Sequence, residues 1–265
     1  TGIEPEHIAS HGSYQGYLDA KISIVRELLK NEKKTSLLIV NAEDKESPRF
    51  EAIRPQTIER FSLKEAEPYT SGPSGTTFTL FGDKVRSSLP GTFNIQNILA
   101  AAHAAHALGV SNEHIRTAVT SFEGVRGRME KVEAGQPFTV IVDYAHTPGS
   151  LRHVYKVYEG INTICVLSGT GGGRDRDKRP VMGAIASEGC REIILTDEDP
   201  YDEDPMQIVG DIKKGITNPR VETILDRRAA IHRALEKAKA GDAVLITGKG
   251  TDPFIMGKDG SKIPW

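Results

Sequence analysis

Asp143-Tyr144-Ala145-His146-Thr147-Pro148 gathers an acid, an imidazole and a hydroxyl within six residues. A carboxylate accepts hydrogen bonds, and an imidazole can hold or pass a proton near neutral pH. The run Phe138-Thr-Val-Ile-Val142 before it reads as a buried strand, and Pro148 opens a helix. Asp143 therefore falls at a strand's carboxyl end, where open α/β sheets bind ligands. On this stretch alone two readings stand: a site, or an Asp and a Thr that cap the following helix. Ser168-Gly-Thr-Gly-Gly-Gly-Arg174-Asp-Arg-Asp-Lys178-Arg179-Pro180 follows a second strand. Its glycines can bare N–H groups to an anion, and Arg174 and Arg179 can each grip a carboxylate; the alternative is a mobile, mixed-charge surface loop. A third strand ends in Thr196-Asp-Glu198-Asp199-Pro-Tyr201-Asp-Glu-Asp204, where Glu198 and Asp199 are best placed to face a cation. A solvated charge run ahead of a helix accounts for some of these acids. A fourth strand ends in Gly248-Lys-Gly-Thr-Asp252. Four strand ends with such chemistry weigh more than any one of them.

The elements that must position these residues form a regular series after residue 127. Strands at 138–142, 163–168, 193–196, 222–225 and 243–247 alternate with helices at 148–158, 179–187, 205–214 and 227–239. That βαβα pattern predicts a doubly wound, mostly parallel sheet. Upstream lie a helix at 14–31, short β-type runs among turns at 35–90, and helices at 94–108 and 111–122. The predicted domains are 1–126 and 127–265. Asn94 and Asn97 share a helix face. His103 and His106 have a metal-compatible spacing, but an Ala-rich helix without a third ligand favours ordinary packing.

Composition sets bounds. The 265 residues are 38% hydrophobic and 26% charged with net charge −2, which gives no field that favours nucleic acid or an anionic membrane. The apolar runs are strand-sized, too short to span a bilayer. Two cysteines, Cys165 and Cys190, make neither a disulfide framework nor a metal box and point to a reducing cytosol. The expectation is a cytoplasmic monomer.

Three motifs carry a resemblance. Phe93-Asn94-Ile-Gln-Asn97, Gly127-Arg128-Met-Glu130 with Asp143 to Pro148, and Gly171-Gly-Gly-Arg174-Asp through Lys178-Arg-Pro-Val-Met-Gly183 resemble the Mur ligase family along nearly the whole chain. They look most like its branch that adds the third amino acid of the peptidoglycan stem. Asp-x-Ala-His-x-Pro alone is less specific, since folylpolyglutamate and cyanophycin synthetases carry similar versions. The resemblance implies an α/β fold in which a Rossmann-like C-terminal domain follows the latter part of the family's central domain. It also implies ATP-dependent amide-bond formation: a carboxylate of UDP-MurNAc-L-Ala-D-Glu becomes an acyl phosphate, and the amine of an amino acid displaces phosphate.

Residue by residue, the resemblance assigns His7 to a second Mg²⁺ and Lys21 to a carbamylated Mg²⁺ ligand. Asn94 and Asn97 lie near adenine, Arg128 on the ATP phosphates, Asp143 on the ribose and His146 near the phosphates. His7, Lys21 and His146 are thus the catalytic candidates. Arg174 grips the incoming amino acid's carboxylate, and Glu198, Asp199, Tyr201, Gly248 and Asp252 surround the rest of that substrate.

Three departures qualify this. The family's Walker A loop and uridine-binding domain have no counterpart in these residues, so the expectation is an inactive fragment of a larger enzyme. Tyr201 stands where ligases specific for meso-diaminopimelate carry the arginine of Asp-Asn-Pro-Arg, and Asp252 stands for a glutamate. With Glu198, Asp199 and Asp252 acidic and no cation set against them, lysine is expected in preference to diaminopimelate. The alternatives are a folylpolyglutamate- or cyanophycin-type ligase and a non-catalytic nucleotide- or amino-acid-binding module. Glycines at 124–127 suggest a hinge.

Overall fold

The computed structural model describes residues 2–4, 8–30 and 36–265. It divides into two compact units, Thr1–Glu123 and Gly124–Trp265.

The first unit opens with helices α1 (Ile8–His11) and α2 (Tyr14–Leu29). Ser13 Oγ accepts the Gly16 N–H and caps α2, which buries Tyr17, Leu18, Ile22 and Val25. Leu28 is 41% exposed, because the buried stripe rotates away from it by the last turn. Strand β1 (Leu37–Asn41), helix α3 (Ser47–Glu51) and strand β2 (Thr57–Phe61) follow, with β1 and β2 parallel. Strands β3 (Thr70–Gly72), β4 (Gly75–Leu80) and β5 (Asp83–Ser87) form an antiparallel meander. Helix α4 (Thr92–Ala107) presses Ile95, Ile98, Leu99 and Ala102 onto Phe61, Phe78 and Leu80. Helix α5 (Asn112–Ser121) is capped by Ser111, as its sequence predicts.

The second unit holds a six-stranded sheet. In chain order its elements are β6 (Glu130–Lys131), β7 (Thr139–Val142), α6 (Pro148–Val157), β8 (Thr163–Leu167), α7 (Lys178–Gly189), β9 (Glu192–Leu195), α8 (Pro205–Lys213), β10 (Val221–Thr223), α9 (Arg227–Lys237) and β11 (Ala243–Ile246). The sheet order is β10-β9-β8-β11-β7-β6, parallel throughout except for β6 at the edge. Alternate residues serve opposite faces. Val140, Ile164, Val166, Ile194, Val244 and Ile246 pack with Ala230 and Ala234 of α9. Helices α6, α7 and α8 pack against one another in sequence. A hairpin of β12 (Phe254–Met256) and β13 (Lys262–Pro264) ends the unit; the sequence patterns did not reveal it. Because the last parallel strand, β11, inserts between β7 and β8, the strand order reverses there, which is where a doubly wound sheet opens a crevice. Among the described residues no helix is long and apolar enough to cross a membrane.

One expectation fails outright. Cys165 and Cys190 are joined in a disulfide, with Cα atoms 6.0 Å apart. The strand alternation turns Cys165 away from the α9 side, and Cys190 is the residue that ends α7, so the pair staples α7 to β8. Linear spacing gave no sign of this meeting.

Closing a loop of 25 residues should stabilise the unit. Reductant is expected to lower the free energy of unfolding by about 3 kcal/mol, read from urea titrations with and without it. Two thiols titrating in the unreduced, denatured protein would contradict the cross-link.

Candidate active site

The carboxyl edge of the second unit's sheet collects most of the predicted residues. At the end of β7, Asp143 is buried. Its Oδ1 accepts the Ala145 N–H and its Oδ2 the Met129 N–H, both at 2.7 Å. It does not cap α6; Thr147 does, in a reciprocal pair with Ser150. Burial lifts the Asp143 carboxyl above its ordinary range, against the two N–H bonds and the nearby Arg128 and His146. His146 Nδ1 lies 2.8 Å from the Tyr144 carbonyl. A carbonyl only accepts, so Nδ1 is the donor in this contact. Arg128 is exposed, with its guanidinium 4.3 Å from the Tyr144 ring centroid.

After β8, the glycine-rich segment is built differently from the anion cradle it suggests. The Gly171 N–H donates to the Asp199 carbonyl and the Gly173 N–H to Glu203 Oε1. A Cβ on Gly172 would come within 2.8 Å of the Tyr201 ring, so close packing on the neighbouring loop requires the glycine there. Arg179 does not grip a ligand. It is 1% exposed and bonded to Glu203, Asp211 and the Thr170 carbonyl, an internal ion-pair hub. Arg174 remains exposed.

After β9, the acids divide by role. Asp204 caps α8 through the Met206 N–H. Glu203 would be raised by burial, but the Gly173 N–H, Arg179 and Arg176 outweigh that and hold it below the usual carboxylate range. Glu198 is buried and accepts the hydroxyls of Ser168 and Thr170, each at 2.7 Å. Gly248, with φ +106°, touches it: a Cβ there would lie 2.5 Å from Glu198 Oε2. Burial, with Asp199 and Glu198 beside it, raises the Asp197 carboxyl despite the Glu198 N–H and Arg227.

The expectation that no cation opposes these acids is wrong. Lys249 is 1% exposed, and its ammonium bonds Asp199 Oδ1 at 2.8 Å and Asp252 Oδ2 at 2.9 Å. Arg227, also buried, donates to Ser168 Oγ and to the carbonyls of Asp197 and Thr247. The Trp265 ring centroid lies 4.7 Å from its guanidinium carbon, and the Trp265 indole N–H donates to the Asp252 carbonyl. Tyr201, in a left-handed conformation (φ +51°), donates its backbone N–H to the Met256 carbonyl. Lys249 was legible as the cation between two glycines at a strand end. Arg227 was not, because nothing local says that the first residue of α9 turns back over the sheet edge.

The first unit is described by itself. Asn94 donates to the Pro90 carbonyl and accepts from Asn97, and Gly91 is the N-cap of α4. Lys21 lies on the exposed side of α2, its ammonium 5.5 Å from the Tyr17 ring centroid. His7 lies outside the described residues. His103 meets Glu65 and His106 meets Asn112, as ordinary packing predicts. Among the described residues no group of three or more His, Cys, Asp or Glu side chains could hold a metal ion.

Comparison with known proteins matches residues 1–105 to the Mur ligase middle domain and 127–250 to the Mur ligase glutamate ligase domain. A UDP-N-acetylmuramyl-tripeptide synthetase of Roseiflexus sp. is 37% identical over 290 residues, covering 100% of this chain and 57% of that protein. A UDP-N-acetylmuramoyl-L-alanyl-D-glutamate–2,6-diaminopimelate ligase of Halalkalibacterium halodurans is 35% identical over 270 residues, covering 98% and 55%. A solved structure of a ligase of that same name superposes with a TM-score of 0.58 at 30% identity, covering 100% of this chain and 56% of the other. The chain thus spans little more than half the length of these relatives.

Two expectations follow. Lys249→Met removes the buried ammonium that pairs Asp199 and Asp252 and should destabilise the fold by about 3–5 kcal/mol in urea titration, with Lys249→Met/Asp199→Asn recovering part of the loss. Because Glu203 is held below its ordinary range, its contribution is present above the unfolded carboxylate value and is lost as pH falls through the folded one. The stability gap between wild type and Glu203→Gln should therefore shrink below about pH 4; a gap that stays constant would contradict this.

Proposed function

Because the chain belongs to the Mur ligase family, we propose that it forms part of an ATP-dependent carboxylate–amine ligase of peptidoglycan precursor synthesis. In this reading a diamino acid is joined to UDP-MurNAc-L-Ala-D-Glu through an acyl phosphate. The observation that carries the reading is the convergence of Asp143, Arg174, Glu198, Asp199, Gly248 and Asp252 on the strand ends of one sheet.

The donor set at β7 suits a nucleotide. Arg128 supplies an exposed cation for phosphate, and Asp143, whose oxygens each retain acceptor capacity beyond one N–H bond, can take ribose hydroxyls. ATP supplies the phosphoryl group that turns the substrate carboxylate into an acyl donor. Asn94 and Asn97 are proposed as adenine contacts of the first unit. Mg²⁺ is proposed with His7 and carbamylated Lys21, but the described residues alone make no metal site, so no step is assigned to it.

For the amino acid, we propose Arg174 as the carboxylate grip and lysine in preference to meso-diaminopimelate. The ground is no longer an absence of cations. Lys249 and Arg227 are both taken up by internal partners, so neither is available to a second carboxylate. Tyr201 offers no charged pair. Asp252, its side chain 37% exposed, keeps capacity for an ammonium. The relatives named as diaminopimelate ligases make this a sharp test. Phosphate release by the full-length protein, supplied with ATP and UDP-MurNAc-L-Ala-D-Glu, should depend on an added amino acid and be faster with lysine. A preference for diaminopimelate would overturn the specificity, and release that ignores both amino acids would overturn the ligase reading.

A further inference from the structure

We propose that Tyr144 is a positioning residue for Arg128, an aromatic platform that holds the guanidinium ready for an anionic nucleotide. The inference rests on the reading of Arg128 as a phosphate contact.

The backbone around Arg128 is tightly fixed. Gly127 (φ +68°) and Met129 (φ +50°) flank it in left-handed conformations. For Met129 that conformation is costly and persists only where its surroundings impose it. The Met129 N–H donates to Asp143 Oδ2, the Gly127 N–H to Glu130 Oε2, and the Arg128 N–H to the Val125 carbonyl. A Cβ on Gly127 would come within 2.5 Å of the Thr251 N–H, so the turn also packs against the loop after β11.

These constraints fix the Cα of Arg128 but not its guanidinium, which lies beyond several rotatable bonds. An exposed arginine carries about 2 kcal/mol of rotamer entropy that binding must remove. The Tyr144 ring, 4.3 Å from the guanidinium carbon, restrains it through a cation–π contact. The ring is itself held. The Tyr144 carbonyl accepts from His146 Nδ1, and the His146 ring stands edge-on to it at 4.9 Å. On another side a Cβ at Gly250 would lie 3.1 Å from Tyr144 Cβ and Cδ2. Three segments, the 127–130 turn, the β7 end and the β11 loop, thus meet on one side chain that the sequence reading left without a role.

The test is a double-mutant cycle on the full-length protein, with affinity for a non-hydrolysable ATP analogue measured by calorimetry. Tyr144→Phe keeps the aromatic face and should stay within about twofold of wild type. Tyr144→Leu should raise Kd about fivefold, the scale of one cation–π contact to an exposed arginine, and leave KM for the amino acid unchanged. Arg128→Ala should also weaken binding, and adding Tyr144→Leu to it should cost nothing more. Tyr144→Met serves if the leucine variant does not fold. If Arg128→Ala binds as wild type does, the phosphate role of Arg128 falls and takes this inference with it. If Arg128→Ala weakens binding but Tyr144→Leu and Tyr144→Met do not, the positioning role alone falls. It falls equally if Tyr144→Leu costs the same in both backgrounds, since the ring would then touch the nucleotide directly.

Discussion

The ammonium of Lys249 sits between two carboxylates on a sheet edge where water scarcely reaches. Asp199 belongs to the loop after β9 and Asp252 to the loop after β11, and β8 runs between those strands. The ion pairs therefore draw two loops together across a third strand's end. Beneath them the Ser168 and Thr170 hydroxyls satisfy Glu198, and Arg227 satisfies Ser168 and two carbonyls. Buried charge is tolerated only when paired and hydrogen-bonded. That requirement also explains Gly248, since a side chain there would displace Glu198 from the network.

Much of the architecture was legible because periodicity reports burial. The five parallel strands of the second unit lie within a few residues of where apolar runs predicted them, and helices α6 to α9 follow their caps and prolines. The elements that escaped are too short to show a period: β6 pairs over two residues at a sheet edge, and β12 and β13 are three residues each. The candidate site was legible as a set of strand ends. Its internal wiring was not, because partners such as Ser168 with Arg227 lie 59 residues apart and no local rule links them. The disulfide belongs to the same class, since two cysteines 25 residues apart give no sign that a strand and a helix end bring them together.

The acidic stretch after β9 shows how far composition can mislead. In sequence it is a negative patch waiting for a cation. In the fold Asp204 caps a helix, Glu203 neutralises Arg179, Glu198 accepts hydroxyls and Asp199 holds Lys249. Most of the charge is consumed in holding the loops in place. Of Glu198, Asp199 and Asp252, the acids on which the specificity argument rests, Asp252 keeps the most outward capacity, so that argument moves from counting acids to asking which oxygen still faces outward.

Cations can be sorted by the same criterion. Arg179, Arg227 and Lys249 are buried and bonded to acids, carbonyls or hydroxyls of the unit, so a ligand anion would have to compete with partners already in place. Arg128 and Arg174 are exposed and sit beside left-handed residues on turns whose backbones are pinned from below. An anion reaching them displaces water rather than an internal carboxylate. Burial therefore separates the cations that build this edge from those that can serve it. Arg128, in the turn before β6 and so beside the end of β7, and Arg174, after β8, flank the strands that β11 parts at the reversal of the sheet order, where the fold itself opens a crevice.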